Sequence, residues 1–117
     1  MQYMLMLHVS ESGWTGLTKV QQEQGMAAYI AYSEALAKAG ALRGTNALLP
    51  SATAKIVRVD KVKAQVMDGP YADSKEQIGG YYLIEVPDLD AAVEWAARCP
   101  AAGHGTVEVR QIREIQP

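Results

Sequence analysis

The sequence predicts an α+β fold of the ferredoxin-like kind, in which two βαβ units share one antiparallel sheet. Two strand–helix–strand segments follow each other along the 117 residues, and a short hairpin separates them. Each crossover is right-handed, so both helices are expected on the same face of the sheet. Two strands are nevertheless apolar on both faces. This pattern predicts that a second copy of the chain covers the open face in a homodimer, a dimeric α+β barrel.

The first strand covers residues 3–9 and is apolar on both faces. Side chains alternate along a strand, which places Tyr3, Leu5, Leu7 and Val9 on one face and Met4, Met6 and His8 on the other. Two apolar faces are typical of a central strand that is covered on both sides. We interpret His8 as a hydrogen-bonded histidine within an apolar face, although histidine also serves as an acid or base at neutral pH.

A long helix is predicted from Thr18, a good N-cap residue, to about Ala39, with Gly40 ending it. Its buried stripe is expected at a spacing of three or four residues, at Met26, Ile30, Ser33 and Ala37, with Tyr29 and Leu36 beside it. Gly25 lies inside this helix and costs about 1 kcal/mol relative to alanine. Its presence indicates a bend or a close contact.

A second strand is predicted at residues 41–49, interrupted at Gly44 and ended by Pro50. Two short β-rich runs at 55–59 and 64–67 form a hairpin around residues 60–63. A strong strand at 80–86 precedes a helix at about 89–99, which Asp88 caps. That helix is expected to bury Leu89, Ala92, Val93 and Ala96. The last strand covers 106–112, with Val107 and Val109 on one face and Glu108, Arg110 and Ile112 on the other.

Composition and charge argue against several classes of protein. The net charge of −2 and the lack of a basic patch give no reason to expect nucleic acid or an anionic membrane as a partner. The single Cys99 suits a reducing compartment, and the apolar run at residues 3–7 is too short to span a bilayer. We expect one cytoplasmic domain over residues 1–117. Neither a metal nor a cofactor is expected, because metal-ligand spacing and nucleotide-binding motifs are absent from the sequence.

The most unusual stretch separates the hairpin from the strong strand. It reads Met67-Asp68-Gly69-Pro70-Tyr71-Ala72-Asp73-Ser74-Lys75-Glu76-Gln77-Ile78-Gly79-Gly80. Pro70 lacks an N–H group and fixes its own φ, so Asp-Gly-Pro cannot continue a helix or a central strand. The charged residues are therefore expected in a loop, where binding and catalytic residues concentrate.

Together with Tyr81-Tyr82-Leu83-Ile84, this stretch resembles the signature of the YCII-related family, in its branch of DGPF-domain proteins. Tyr71 stands where that branch has phenylalanine. The similarity extends over nearly the whole chain, including Gly40-Ala41-Leu42, Leu48-Leu49-Pro50, residues 92–100 and Val107-Glu108-Val109-Arg110. The resemblance implies a ferredoxin-like fold and a dimeric α+β barrel.

For function, the resemblance implies less. The wider YCII group is thought to include enzymes that use a His–Asp pair, with the histidine on the first helix. Tyr29 stands at the matching place here, and an unperturbed tyrosine, with a pKa of about 10, is a weaker base. DGPF proteins also resemble companions of extracytoplasmic-function sigma factors, which implies a regulatory or ligand-sensing context.

Several charged residues of the loop are candidates for a site. Asp68 could act as a general base or orient a substrate, or it could form an Asx-type turn. Lys75 could bind a substrate carboxylate while Glu76 transfers a proton. Alternatively, Lys75 and Glu76 pair with neighbours on a short helical turn that Asp73 or Ser74 caps.

Glu108 and Arg110 share the face of the last strand that lies away from the helices. Covered charges need partners, so an ion pair or a link to the loop charges is expected. Arg110 could also hold a substrate carboxylate in a bidentate fashion, with Tyr71 as a further binding residue. Tyr29 either packs with a hydrogen-bonded hydroxyl or serves as an acid.

Three functions fit these residues, and the fold does not choose among them. The first is a cofactor-independent enzyme that acts on a small acidic or aromatic substrate by acid–base chemistry. The second is a ligand-binding or regulatory module that works with a sigma factor. The third is a structural dimer whose loop charges brace the interface.

Overall fold

The computed structural model describes residues 1–115 of the chain. Its helices and strands are, in chain order, β1 (Gln2–Val9), α1 (Glu11–Thr15), α2 (Lys19–Lys38), β2 (Leu42–Ala47), β3 (Lys55–Asp60), β4 (Lys63–Asp68), β5 (Gln77–Glu85), α3 (Leu89–Arg98) and β6 (Thr106–Gln111). Four strands form an antiparallel sheet in the order β2-β5-β1-β6, and β3 and β4 form a separate ribbon. The predicted α+β class is confirmed, and the arrangement fits a ferredoxin-like fold.

β1 lies inside the sheet, between β5 and β6, as its two apolar faces predicted. One face of the sheet packs against α2 and α3 to form the core, whose buried side chains include Tyr3, Leu5, Leu7, Tyr82, Ile84, Leu36, Ala92 and Ala96. Burial of one large apolar side chain contributes roughly 1.5–3 kcal/mol. The opposite face, here called the open face, carries the half-buried Met4, Met6, Tyr81 and Leu83.

α2 begins and ends where the sequence predicts. The Thr18 hydroxyl accepts a hydrogen bond from the Gln21 amide at 3.2 Å, and the Gln21 side chain accepts one from the Thr18 amide at 2.9 Å. This reciprocal capping box satisfies two amides that the helix itself leaves unpaired. Gly40 follows the helix with a φ of +73°, the left-handed conformation in which glycine carries no steric penalty.

The predicted buried stripe of α2 is wrong in part. Met26 and Ile30 are exposed, whereas Tyr32 and Leu36 are buried. The Tyr32 ring packs edge-on against Tyr82 and Trp95, and its hydroxyl donates a hydrogen bond to the Trp95 carbonyl at 2.7 Å. A buried tyrosine needs such a partner, and the contact sets the rotation of the helix.

α1 is a short helix between β1 and α2, outside the elements that the sequence predicts. The Ser10 hydroxyl caps it, and Trp14 packs on α2 at Gly25. A Cβ at position 25 would lie 3.1 Å from the Trp14 ring, which confirms the close-contact interpretation of this glycine. The Glu11 carboxylate accepts hydrogen bonds from the amide and hydroxyl of Ser51, so α1 also holds the segment that precedes β3.

α3 begins at the predicted cap, where the Asp88 carboxylate accepts a backbone hydrogen bond at 2.9 Å. Ala92 and Ala96 are buried as predicted, but Leu89 and Val93 are about half exposed. Small alanine side chains let the helix lie close to the sheet. The larger apolar residues are therefore turned outward, and the prediction that they are buried is wrong.

The hairpin of β3 and β4, residues 55–68, is here called the arm. Val57 pairs with Val66 and Val59 with Ala64, and Ile56 is the one half-buried residue of an otherwise exposed segment. The radius of gyration is 16.3 Å, above the roughly 13 Å of a compact 100-residue domain. The arm therefore extends away from the body of the protein.

Two glycines allow backbone segments of the main sheet to approach closely. A Cβ at Gly80 would lie 2.9 Å from the Asn46 carbonyl of β2, and one at Gly105 would lie 2.3 Å from the His8 carbonyl of β1. Real Cβ atoms do not come so close to backbone atoms. Gly80, at the end of the unusual loop, thus serves strand packing rather than a phosphate cradle.

Candidate functional site

A histidine–carboxylate pair lies on the open face. His8 Nε2 is 2.9 Å from Glu108 Oε1, the distance of a hydrogen bond in which the ring N–H donates. The two residues are diagonal neighbours across β1 and β6, because His8 pairs with Thr106 in the register of the strands. The same contact also joins the two strands, so it has a structural as well as a chemical use.

A second carboxylate lies at the same end of the sheet. Glu76 Oε1 accepts a hydrogen bond from the Thr106 hydroxyl at 3.0 Å. The amide group of Gln77 holds the preceding loop by donating to the carbonyls of Ala72 and Ser74 at 2.8 and 2.9 Å. The Glu76–Thr106 hydrogen bond joins the loop to β6 through Thr106, and not through Glu108 or Arg110 as expected. It places the Glu76 carboxylate at the same end of the sheet as the His8–Glu108 pair.

Arg110 extends the same row along β6. It shares the open face with Glu108 and pairs with Met4 in the strand register. Within residues 1–115 its guanidinium takes part in none of the ion pairs, because Glu108 is bound to His8 instead. Of the two expected kinds of partner, Glu108 therefore has a pairing, with His8, whereas Arg110 has neither within residues 1–115. The arginine is exposed and available to a planar anion, which it can hold with two parallel hydrogen bonds.

The part of the open face beside these charges is apolar, and it has a polar group at the β2 edge. Met4, Met6 and Leu83 are half-buried in the centre of the open face. At the β2 edge, the Asn46 side chain donates a hydrogen bond to the Tyr81 hydroxyl at 2.7 Å. The face can therefore contact a flat apolar group while charged side chains stand along its β6 edge.

The arm and the loop that follows it hold the other predicted residues apart from this row. Asp68 lies at the base of the arm, where its carboxylate pairs with Lys55 at 2.5 Å, and its side chain is 85% exposed. Tyr71 is 81% exposed. Lys75 is exposed and makes no hydrogen bond or ion pair with any of residues 1–115. The alternative of a short helical turn at these charges is wrong, since residues 70–76 are irregular.

Tyr29 lies on the opposite side of the sheet from Glu108 and Arg110. It packs at the edge of the core, and burial raises the pKa of its hydroxyl to about 12. An open groove of about 380 Å³ runs beside it, lined by Tyr29, Ile30, Ser33, Glu34, Ala37 and Leu42. The structure thus does not bring Tyr29 together with His8, Glu76, Glu108 and Arg110, here called the charged row. The raised pKa makes Tyr29 a poor base near neutral pH.

Cys99 is buried, and burial raises the pKa of its thiol. A buried, protonated thiol is unreactive, so Cys99 serves as a small apolar residue of the core.

His8 is the residue whose role the sequence left open. Its alternation with Met4 and Met6 correctly predicted the face on which it lies, and the alternation of β6 did the same for Glu108. The missing information was the register of β1 against β6, which brings the two side chains within hydrogen-bond distance.

No group of three or more metal-ligating side chains occurs within residues 1–115. In the same range, no helix is long and apolar enough to cross a membrane.

Comparison with known proteins identifies relatives of the whole chain. The sequence pattern described as the YCII-related domain matches residues 1–116. An uncharacterized protein of Rhizobium meliloti (strain 1021) is 32% identical over 119 residues, a match that covers 100% of this chain and 96% of that protein.

A solved structure also resembles this chain. It is that of 5-chloro-2-hydroxyhydroquinone dehydrochlorinase from Burkholderia phenoliruptrix in complex with 2,5-dihydroxybenzoquinone. The two share a TM-score of 0.57 and 16% sequence identity, over 97% of this chain and 94% of the other. At this level of identity the likeness supports the fold alone.

Proposed function

Because this chain belongs to the YCII-related domain family, we propose that it is a cofactor-independent enzyme that uses acid–base chemistry on a small acidic or aromatic metabolite. The observation that carries the proposal is the His8–Glu108 hydrogen bond of 2.9 Å on the open face. Histidine is the side chain that most often transfers protons in enzymes, and a carboxylate can hold it in the required orientation.

Each residue of the charged row has a role in this proposal. His8 takes a proton from the substrate, while Glu108 orients the imidazole and stabilises its positive charge. Glu76 provides a second carboxylate at the same end of the sheet. Arg110 binds an anionic group of the substrate, and Met4 contacts its apolar part. Asp68, Tyr71 and Tyr29 have no part in the reaction in this proposal, and Lys75 adds positive charge to the loop.

We also propose that a second copy of the chain covers the open face. The half-buried Met4, Met6, Tyr81 and Leu83 support this dimer, because their apolar surface faces solvent in a single chain. Covering them would also exclude water from the charged row, where electrostatic interactions then become stronger. Light scattering at micromolar concentration measures the mass. A monomeric mass would contradict the proposed dimer. It would not contradict the proposed chemistry, which is tested separately below.

The choice of test compounds follows from the charged row and from the fold relative. Arg110 favours carboxylates, and the solved structure of the dehydrochlorinase contains 2,5-dihydroxybenzoquinone, a small ring compound. A suitable panel therefore contains hydroxylated aromatic compounds, with and without a carboxylate, and small aliphatic carboxylic acids. Thermal shift on the wild-type protein selects the compounds that bind.

Proton transfer is then measured without knowledge of the product. In D₂O, an enzyme that removes a proton from carbon incorporates deuterium into the bound compound, and NMR follows that exchange. We expect His8→Gln to lower the exchange rate by roughly 10²–10⁴-fold, the usual contribution of a general base. His104→Gln serves as the matched control, because His104 is an exposed histidine of a nearby loop.

Three results are informative. Equal exchange in wild type and His8→Gln would contradict the assigned base. Binding of a compound that Arg110→Gln weakens, with no exchange or turnover, would favour the ligand-binding or regulatory function instead. Absence of binding across the panel would favour the structural dimer.

A further inference from the structure

The arm carries an apolar surface that residues 1–115 leave uncovered. Strand alternation places Val57, Val59, Ala64 and Val66 on one face of the ribbon, here called the valine face. The three valines are 60–65% exposed, and Val62 at the tip is 98% exposed. Contiguous apolar surface of this kind marks an interaction site in a folded protein.

A ribbon of two strands needs such an interaction. An isolated two-stranded hairpin is at best marginally stable in water, because it has no core of its own. Here the main contacts at the base are the Lys55–Asp68 ion pair and the hydrogen bond from the Gly69 amide to the Ala54 carbonyl at 2.8 Å. Both are at the base, and the outer part of the arm is held by its own strand pairing, to which a partner would add packing.

Charge points to a partner of the same sequence. The arm carries four basic and two acidic side chains, whereas the remainder of the chain carries seven basic and eleven acidic ones. Arg58 and Lys63 lie on the ribbon face opposite the valine face, so the attraction is between the basic arm as a whole and an acidic body. A second copy presents such a body with the same composition.

α3 offers the receiving surface that matches best. Leu89 and Val93, one helical turn apart, are about half exposed, and the exposed Asp90 and Glu94 flank them. Their spacing along the helix of about 6 Å resembles that of Val57 and Val59 along a strand. α2 also exposes apolar residues, but its two acidic and two basic side chains cancel.

We propose that the valine face of the arm docks on the outward face of α3 in a second copy of the chain. Strands of six residues make an arm about 20 Å long. Two packed sheets lie about 10 Å apart, so an arm of this length can pass the edge of a partner sheet and reach its helices. In a two-fold dimer the exchange is mutual, since each arm finds the same surface on the other chain.

Sedimentation equilibrium tests whether the valine face contributes to the affinity of the dimer. The variant V57T/V66T keeps the shape and strand preference of the valines but adds hydroxyl groups to the valine face. We expect the dimer dissociation constant of this variant to be about tenfold higher or more. High salt should also weaken the wild-type dimer, because it screens the attraction between the basic arm and the acidic body. Val20→Thr is the matched control, because Val20 is equally exposed on α2. Equal dissociation constants for wild type and V57T/V66T would overturn the proposal, as would a monomeric wild type.

Paramagnetic broadening tests where the arm docks on the second copy. A spin label on Val62→Cys can be attached selectively, since the native Cys99 is buried. Spin-labelled chains are mixed with ¹⁵N-labelled chains that carry no spin label, so that any broadening of amide signals arises between copies. We expect broadening in α3. Broadening confined to α2 or to the open face, or none at all, would overturn the proposal. Neither measurement uses a ligand, so both outcomes are independent of the proposed enzyme activity.

Discussion

The carboxylate of Glu76 accepts a hydrogen bond from the hydroxyl of Thr106 at 3.0 Å. Glu76 ends the loop that follows the arm, and Thr106 is the first residue of β6. Thr106 in turn pairs with His8 in the strand register. A single hydrogen bond therefore fixes the loop to the strand that carries Glu108, at the end of the sheet where the histidine–carboxylate pair lies.

Thr106→Val is expected to release this loop without unfolding the sheet. Valine keeps the β-branched shape but lacks the hydroxyl, and an exposed hydrogen bond of this kind contributes about 0.5–1.5 kcal/mol. We expect the free energy of unfolding in urea to fall by about that amount and hydrogen exchange in residues 71–77 to become faster. Asp73→Asn, at an exposed carboxylate of the same loop, should change neither quantity. Unchanged exchange in Thr106→Val would show that the hydrogen bond does not order the loop.

Gly105→Ala is expected to be strongly destabilising. A Cβ at this position would lie 2.3 Å from the His8 carbonyl, so β1 and the segment before β6 must move apart. Overpacking of this kind costs roughly 1–3 kcal/mol, measured as the free energy of unfolding in urea. Gly103→Ala is the matched control in the same loop, because a Cβ there meets no atom within 4 Å. A similar loss in both variants would contradict the steric explanation.

The order of elements and the central position of β1 were predictable because both follow from local pattern. A strand that is apolar on both faces, such as residues 3–9, indicates a central place in the sheet irrespective of its neighbours. The caps at Thr18 and Asp88 were also predictable, because a single side chain satisfies the first turn of a helix.

The rotation of the helices was not predictable in the same way. Both helices expose some large apolar residues, such as Ile30 and Val93, so the apolar pattern alone allows more than one buried face. Packing decides between them. The rotation of α2 follows the hydrogen bond from Tyr32 to the Trp95 carbonyl of α3, and the rotation of α3 follows its buried alanines.

The candidate site was predictable only residue by residue. Glu76 and Glu108 were identified from the loop and from strand alternation, but the partner of Glu108 is His8, 100 residues away in the sequence. That pairing depends on the strand order and on the register between β1 and β6, neither of which a single strand encodes.

Cys99 is expected to react with a thiol reagent only after unfolding. Its side chain is buried, and burial raises the pKa of the thiol, so little thiolate is present near neutral pH. We expect the reaction with a chromogenic disulfide reagent to be at least about a hundredfold slower in buffer than in urea. The variant Val62→Cys adds a thiol at the exposed tip of the arm, so one thiol per chain should react rapidly in buffer. Rapid modification of the wild-type protein would contradict the buried position.

Alkaline pH is expected to destabilise the protein through Tyr29. Burial raises the pKa of its hydroxyl in the folded state to about 12, from an ordinary value of about 10 in the unfolded chain. Between these values the unfolded chain releases the proton while the folded protein retains it. The stabilisation is therefore fully present below about pH 10 and is lost progressively as the pH rises towards 12.

Tyr29→Phe removes the ionisable group, so the stability of this variant should fall less steeply over this range, as urea unfolding at several pH values would measure. Tyr71→Phe is the matched control, because Tyr71 is exposed and its substitution should leave the slope unchanged. Equal slopes for wild type and Tyr29→Phe would contradict the assignment of the raised pKa to Tyr29.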